Sequence, residues 1–534
     1  MNKPWLANYP EEVSYKIDIP SLTILEVLDQ AAKENPSKIG IIDGDRKTTF
    51  LQLKKACERV AYGLYKRGFK KGDRIAVMLP NCLEYAIAFF AVQRLGGVVV
   101  QINPYFKPEE LKHILNNSES VGLIAFREVK EKLDKVGMID KVKFITADEV
   151  AKEDDNIHLW IENEKAELPS MDLQSNDLAI ILYTGGTTGF PKGVMIKHSN
   201  MAAALYQGNE CSKPILNEEG HCQIGIAPLY HGLGLFTLVQ SIFIGASFVM
   251  VRNFDLDYIL TLIRTYRPTI FMGSPTMYIA LLNHPDLLEN DLSCFKLCVC
   301  GAAPVPVEIL NRFEEKTGVP IIEGYGLSEA TIGVTRNPVN GKRKVGSIGI
   351  PLPNTDVKIV DIATGTKEMQ VGEPGELIVK GPQVMKGYWK NQEESDYALR
   401  DGWLHTGDMA TMDNEGYFYI VGRKKEMIIT GGFNVYPAEV EEVIYKHPAV
   451  LEACVYGIPD PYRIETVKLA VVLKKGYTLT SEEIREWCKE RLTNYKVPRI
   501  IEFKESLPKT PVGKIMRLQL KNEDVQKTEM LGLQ

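Results

Sequence analysis

"LAIILYTGGTTGFPKGVMIKH", residues 178–198, sets an apolar run against a knot of glycines and threonines, then leaves through a lysine into a second apolar run. Glycines let backbone N–H groups close around an anion, threonine hydroxyls add donors and a lysine adds charge, so the composition suggests a phosphate cradle. The P-loop pattern, which needs Gly-Lys-Ser/Thr opening a helix, is not met. Lys192 lies between Pro191 and Gly193, no hydroxyl follows it, and "GVMIKH" alternates as a strand does. The expectation is therefore a hairpin between two strands with no helix behind the loop, which argues against a kinase or P-loop ATPase. A plain surface turn is the competing reading.

The surrounding chain reads as α/β. Residues 73–79, 82–96 and 97–104 suggest strand, helix and strand, as do residues 295–301, 306–318 and 319–326. Repeated units of this kind imply doubly wound, mostly parallel sheets with helices on both faces. After about residue 340 the texture changes to short strands with Gly/Pro turns, in "KVGSIGIPLPNTDVKIVD", "GEPGELIVKG" and "GYFYIVGR", which suggest a small antiparallel barrel or sheet. Beyond it, "AEVEEVIYKHP", "LEACVYGIP", "VKLAVVLKK" and "SEEIREWCKERL" read helix, strand, strand, helix, a compact α+β unit. The expected division is an N-terminal domain over residues 1–422, a hinge over 423–425 and a mobile C-terminal domain over 426–534.

Totals limit the function classes. The 534 residues exceed one core, and 63 basic against 69 acidic residues give a net charge of −6, which argues against general nucleic-acid binding. Nine scattered cysteines show no disulfide framework, and Cys294, Cys298 and Cys300 lack zinc-site spacing. They read as core thiols, and a cytoplasmic location is expected. The start of the sequence has no basic-then-apolar leader pattern. Residues 222–251 carry no Lys, Arg, Asp or Glu, but Pro228 and several glycines make them a buried strand, loop and helix before a membrane span.

Two strand ends, "GAAP" (301–304) and "GYGLSEAT" (324–331), lie where open sheets bind ligands. The first offers bare backbone. The second offers Tyr325 as a stacking face, Ser328 as a donor and Glu329 as a carboxylate for magnesium, or simply as a helix-start acid. Asp408, closing "GWLHTGD", and Arg423, opening "RKKE", could share a ribose or form a structural ion pair. Lys514 in "PKTPVGKIMR" is by itself a weak signal.

Taken in order, "YTGGTTGFPKG", "GYGLSEAT", "HTGD", "GRKKEMIITGGFNVYPAEVE" and "PKTPVGK" resemble the adenylate-forming superfamily over roughly residues 20–520. That superfamily includes acyl-CoA synthetases, firefly luciferase and peptide-synthetase adenylation domains, and the last third is most similar to fatty-acid–CoA ligases. The resemblance implies ATP, Mg2+ and coenzyme A as cofactors, and a fatty acid as the small-molecule carboxylic acid. Thr184, Gly185, Gly186, Thr187, Thr188 and Lys192 would hold the outer phosphates. Ala302, Ala303, Gly324, Tyr325 and Gly326 would surround adenine. Ser328 would meet the α-phosphate and Glu329 the metal. Asp408 and Arg423 would hold ribose, and Lys514 would bridge the carboxylate and the α-phosphate. His231 would line the acyl pocket, Lys425 would mark the hinge, and Gly431 and Gly432 would line the pantetheine channel.

The sequence departs from the family at four places. Gly186 stands where many relatives have serine, Ser328 for threonine, and Ile464 for glycine; Leu235 occupies the place of a gating tryptophan. Leu233, Leu235 and Phe236 suit an alkyl chain or ordinary core. The expected activity is activation of a fatty acid to acyl-AMP followed by thioester formation with CoA. The alternatives are an aryl-acid ligase of the coumarate type and an enzyme loading a carrier protein. A homodimer and a peripheral contact with the inner membrane face, for which the basic run "NGKRKVG" (340–346) is a candidate, stay open.

Overall fold

The computed structural model describes residues 3–149, 154–165, 167–184, 191–216, 218, 220–288, 290–301, 305, 307–430, 433–460, 462–510 and 514–530. The two large sheets are parallel at their centres. One runs Gly387–Tyr388, Lys192–Lys197, Leu178–Thr184, Val98–Gln101, Arg74–Met78, Gly122–Ala125, Lys143–Thr146. The other runs Ile350–Pro351, Thr335–Arg336, Ile321–Tyr325, Leu297–Cys300, Ile270–Gly273, Cys222–Gly225, Ser247–Met250, Ile39–Asp43, Arg46–Thr49. The charge-free stretch is thus two strands flanking the helix Gly232–Phe243, as its glycines and proline imply. Among the described residues no helix is long and apolar enough to cross a membrane.

A helix that is apolar all round belongs inside. Leu83–Leu95 is such a helix: Tyr85, Ile87, Phe89, Phe90 and Leu95 are fully or almost fully covered, and Gly96 ends it in the left-handed conformation (φ 78°) that L side chains resist. The side chain two positions before this helix does the most specific work. Buried Asn81 donates its side-chain amide to the carbonyls of Gly225, Ala227 and Val251 at 3.0–3.2 Å and accepts from the Leu229 N–H at 2.7 Å. Tyr85 adds a hydrogen bond to the Leu229 carbonyl at 2.8 Å. The backbone leading to His231 is thereby fixed to the opposite sheet.

The antiparallel unit is a four-stranded sheet, Asp356–Val360, Gly375–Lys380, Leu404–Met412, Phe418–Arg423. No ladder joins its outer strands among the described residues, so it is the sheet, not the closed barrel, of the two sequence expectations. Ile350–Pro351, placed with it by texture, extends the second large sheet through Thr335–Arg336, while Gly349 just before it bridges Phe418 of the antiparallel unit. The C-terminal region forms its own sheet from Phe433–Val435, Ile428–Thr430, Ile464–Leu473 and Val450–Asp460, with Ile500–Phe503 parallel to Ile464–Leu473. The helices Pro437–Tyr445 and Ser481–Lys489 cover an apolar face that includes Ile428, Val440, Ile444, Val467, Leu469 and Ile484.

Replacing Asn81 with alanine takes this partner from the Leu229 N–H and the Ala227 and Val251 carbonyls, while the Gly225 carbonyl keeps the Val251 N–H, at about 1–3 kcal/mol for each group left unpaired. We expect Asn81→Ala to lower the thermal midpoint by about 5–10 °C, read by differential scanning calorimetry. A shift below about 2 °C would show that the bridge between the sheets is unimportant.

Candidate active site

The opening hairpin is present. Leu178–Thr184 pairs antiparallel with Lys192–Lys197, and Thr184 lies opposite Lys192. Gly185, Gly186, Thr187 and Thr188 lie outside the described residues. The edge strand Gly387–Tyr388 pairs next to Lys192–Lys197, with Tyr388 opposite Val194. That pairing brings the Lys192 ammonium 5.3 Å from the centre of the Tyr388 ring and 2.6 Å from the Glu394 carboxylate. The Tyr388 hydroxyl in turn donates to Glu329 Oε1 at 2.9 Å. Burial, reinforced by the Glu329 charge, pushes the Tyr388 phenol well above its ordinary value, so it stays a proton donor. Tyr388 and Glu394 were missed in the sequence, since Tyr388 meets Glu329 across 59 positions and no local pattern announces that contact.

Gly324 and Tyr325 end the strand Ile321–Tyr325, paired with Arg336 and Thr335. A Cβ on Gly326 would fall 1.3 Å from the Ile332 carbonyl oxygen, so no other residue fits there. Ser328 and Glu329 form a single helical turn, Ser328–Ala330. Thr331 (φ 44°) and Ile332 (φ 78°) follow in the left-handed region, which is costly for β-branched residues. Buried Gln383 holds them there. Its carbonyl accepts from the Thr331 hydroxyl at 2.7 Å, and its side-chain amide donates to the Gly333 carbonyl at 3.0 Å. Ala302 and Ala303 lie outside the described residues.

Asp408 and Arg423 face each other directly across the antiparallel ladder of Leu404–Met412 and Phe418–Arg423. Arg423 Nε is 3.0 Å from Asp408 Oδ1, and the Tyr325 hydroxyl donates to Asp408 Oδ2 at 2.5 Å. One buried carboxylate thus joins the end of a parallel sheet to the antiparallel unit. Burial opposes the charge on Arg423, but Asp408, Glu426, Tyr325 and Glu329 together outweigh it and raise its pKa. Behind the pair, buried Glu376 accepts from the Gly407 N–H at 3.1 Å and has Arg400 and Lys424 each 3.5 Å away. Lys425 stands exposed in the turn that follows Arg423, where Glu426 and Met427 donate N–H groups back to the Arg423 carbonyl at 3.0 Å.

Lys514, near the far end of the chain, lies close enough to this group to feel its charges. Its surface keeps contact with solvent, yet protein crowds the ammonium. Desolvation first, then the Arg423 cation, lower its pKa to about 8, with Glu426 and Asp408 pulling the other way. Lys514 therefore shares an electrostatic environment with Asp408 and Arg423. His231 precedes the helix Gly232–Phe243, its ring 5.6 Å from that of Tyr230, and burial lowers its pKa and favours the neutral imidazole. Ile332 closes against Gly232, where a Cβ would meet Ile332 Cδ1 at 2.3 Å, so the histidine segment abuts the loop after Glu329. Leu235 is core, while Leu233 and Phe236 are half-buried. Gly431 and Gly432 lie outside the described residues.

Brought together are Tyr325, Asp408, Arg423 and Lys514 in one group, and Lys192, Tyr388 and Glu329 in an adjoining one. Arg423, which feels the charge of Glu329, links the two. Cations from both groups, with a buried carboxylate and an aromatic hydroxyl among them, suit a polyphosphate attached to a sugar.

The comparisons agree with that chemistry. The AMP-binding enzyme family model matches residues 28–389, and the AMP-binding enzyme C-terminal domain matches residues 439–514. The chain belongs to the AMP-binding enzymes. It is 42% identical to the long-chain-fatty-acid–CoA ligase of Bacillus subtilis (strain 168), over 98% of each chain. It is 35% identical to a feruloyl-CoA synthase of Amycolatopsis sp, over 91% of this chain and 96% of that one. The crystal structure of an anthranilate CoA ligase in complex with anthranoyl-AMP superimposes with a TM-score of 0.88 at 28% identity, covering 96% of this chain and 99% of that one.

Lys514 is protonated below its depressed pKa and neutral above it. Competitive acylation followed by mass spectrometry is expected to place its midpoint near pH 8 and to move it upward in Arg423→Ala, because one of the charges that depresses it is gone. A midpoint at the ordinary lysine value of 10.5 in the unaltered protein would contradict the shared cleft.

Proposed function

We propose that this protein is an ATP-dependent fatty-acid–CoA ligase. It joins a fatty acid to AMP with loss of pyrophosphate, then transfers the acyl group to the thiol of coenzyme A with loss of AMP. The observation that carries the reading is the convergence of Tyr325, Asp408, Arg423 and Lys514 on one cleft, from segments separated by up to 189 positions. The acyl class rests on the likeness to the Bacillus subtilis ligase over nearly the whole of both chains.

The chemistry sets the requirements. A carboxylate approaching a phosphate meets repulsion of about 4 kcal/mol for unit charges 4 Å apart at an effective dielectric near 20. Lys514 and Lys192 offset it, one at the reacting carboxylate and α-phosphate, the other at the departing pyrophosphate. Asp408 accepts from the ribose hydroxyls, and Arg423 and Tyr325 hold that carboxylate in place. Gly324 and Gly326 let the base lie against bare backbone, with Ala302 and Ala303 completing the wall, and Ser328 donates to the α-phosphate. Thr184 and the loop Gly185, Gly186, Thr187, Thr188 receive the outer phosphates. His231, neutral, lines the acyl pocket beside the reacting carbonyl.

Glu329 suits a magnesium ion. It makes no salt bridge among the described residues, and the Tyr388 hydrogen bond occupies Oε1 while orienting the carboxylate. Bound there, the metal would neutralise phosphate charge. Residues 1–422 form the nucleotide- and acyl-binding domain, 423–425 the hinge, which ends at Lys425, and 426–534 a mobile domain. Rotation about the hinge withdraws Lys514 after adenylation and brings Gly431 and Gly432 to the pantetheine arm. A long-chain acid partitions into lipid, so a peripheral encounter with a membrane surface belongs to this reading.

The second reading, an aryl-acid ligase, is favoured by the likeness to the feruloyl-CoA synthase. A panel of acids with ATP and CoA separates the two. We expect turnover of decanoate, myristate or palmitate at least about tenfold faster than of ferulate or coumarate, a difference of about 1.4 kcal/mol in transition-state binding. The reverse order would favour the aryl reading. Lys514→Ala is expected to lose adenylate formation at least about a hundredfold more than thioester formation from supplied acyl-AMP. Equal losses in both half-reactions would contradict domain alternation.

A further inference from the structure

Lys192, assigned above to the departing pyrophosphate, already has a carboxylate partner. Its ammonium lies 2.6 Å from Glu394 Oε2. The fold fixes that partner. Asn391 caps the helix Gln392–Ala398 by accepting from the Glu394 N–H at 3.2 Å, and the Ser395 hydroxyl accepts from the Tyr388 N–H at 2.8 Å. The helix is therefore pinned to the strand whose Tyr388 ring lies beside Lys192 and whose hydroxyl holds Glu329. One short segment, residues 387–395, thus carries a counter-ion for the phosphate lysine and a hydrogen-bond donor for the metal carboxylate.

The geometry points to Glu394 as an exchangeable counter-ion for Lys192, a positioning residue that competes with the triphosphate and takes the lysine back when pyrophosphate leaves. The inference rests on the ligase reading only for its consequence in turnover; the competition itself concerns nucleotide binding. Polyphosphate beside Lys192 brings a second anion up to Glu394, and the two repel. With side-chain exposures of 25% for Lys192 and 43% for Glu394, the pair is partly wet, so the competition is modest. It costs some ATP affinity and favours pyrophosphate release, because a site that held both states equally tightly would gain no rate.

The test is titration calorimetry with Mg–ATP on the full chain and on Glu394→Gln, Lys192→Ala and the double variant. Glu394→Gln is expected to tighten the Kd for Mg–ATP about two- to fivefold. The gain should fall below about 1.5-fold in the Lys192→Ala background and in about 0.5 M NaCl. Pyrophosphate should become a stronger product inhibitor by a similar factor, with the KM for the acid unchanged. Glu394→Ala should reproduce the shift, and Glu394→Asp should restore the original affinity in part. An unchanged or weaker Kd in Glu394→Gln overturns the inference, as does an equal gain with and without Lys192. Acid-dependent ATP–pyrophosphate exchange, measured in parallel, reports on the ligase reading: if it is missing while the calorimetric shifts are as expected, the ligase reading fails and the counter-ion stands.

Discussion

The candidate active site depends on one cross-strand pair. Asp408 and Arg423 are directly opposed in an antiparallel ladder, and the Tyr325 hydroxyl reaches the same carboxylate from the end of a parallel sheet. Side chains alternate between faces of a strand, so a one-residue slip of either strand would send its member of the pair to the other face. Register is therefore what makes the clamp, and buried Glu376 supports it by receiving the Gly407 N–H next to Asp408. The turn after Arg423 begins the passage to the C-terminal sheet. In the proposed reaction, movement of that sheet would pivot beside this pair and carry Lys514 with it.

The site also concentrates structural costs. Thr331 and Ile332 hold left-handed backbone angles that β-branched residues seldom adopt, and Gln383 bonds them in place. Their conformation lets the Ile332 carbonyl pass over Gly326 and its side chain close against Gly232. Ile464 likewise has a left-handed backbone (φ 75°) with its side chain two-thirds exposed, opposite Thr430 and Asp460. That angle costs a β-branched residue about 1–3 kcal/mol.

Much of this was legible in the sequence where chemistry is local. The failure of the P-loop pattern at Lys192 correctly implied a hairpin, and periodicity located the helix Leu83–Leu95 and the strands on either side. Glycine ends of strands marked Tyr325. What stayed hidden was set by pairing between distant strands. Tyr388 and Glu394 matter only because Gly387–Tyr388 joins the edge of the first sheet, and nothing in "KGYWKNQEES" announces that neighbour. The strand Ile350–Pro351 was misplaced for the same reason, since its partner, not its composition, assigns it to a sheet. Asn81 is likewise a single polar residue whose four backbone partners lie more than a hundred positions away.

The central claim is that the clamp orients the nucleotide so that a carboxylate oxygen attacks the α-phosphorus. Supplying a fatty acid labelled with 18O in both carboxyl oxygens, with ATP and CoA, follows that bond directly by mass spectrometry. One labelled oxygen should appear in AMP and one should stay in the thioester. Label in pyrophosphate or inorganic phosphate, or AMP free of label while thioester accumulates, would contradict the account.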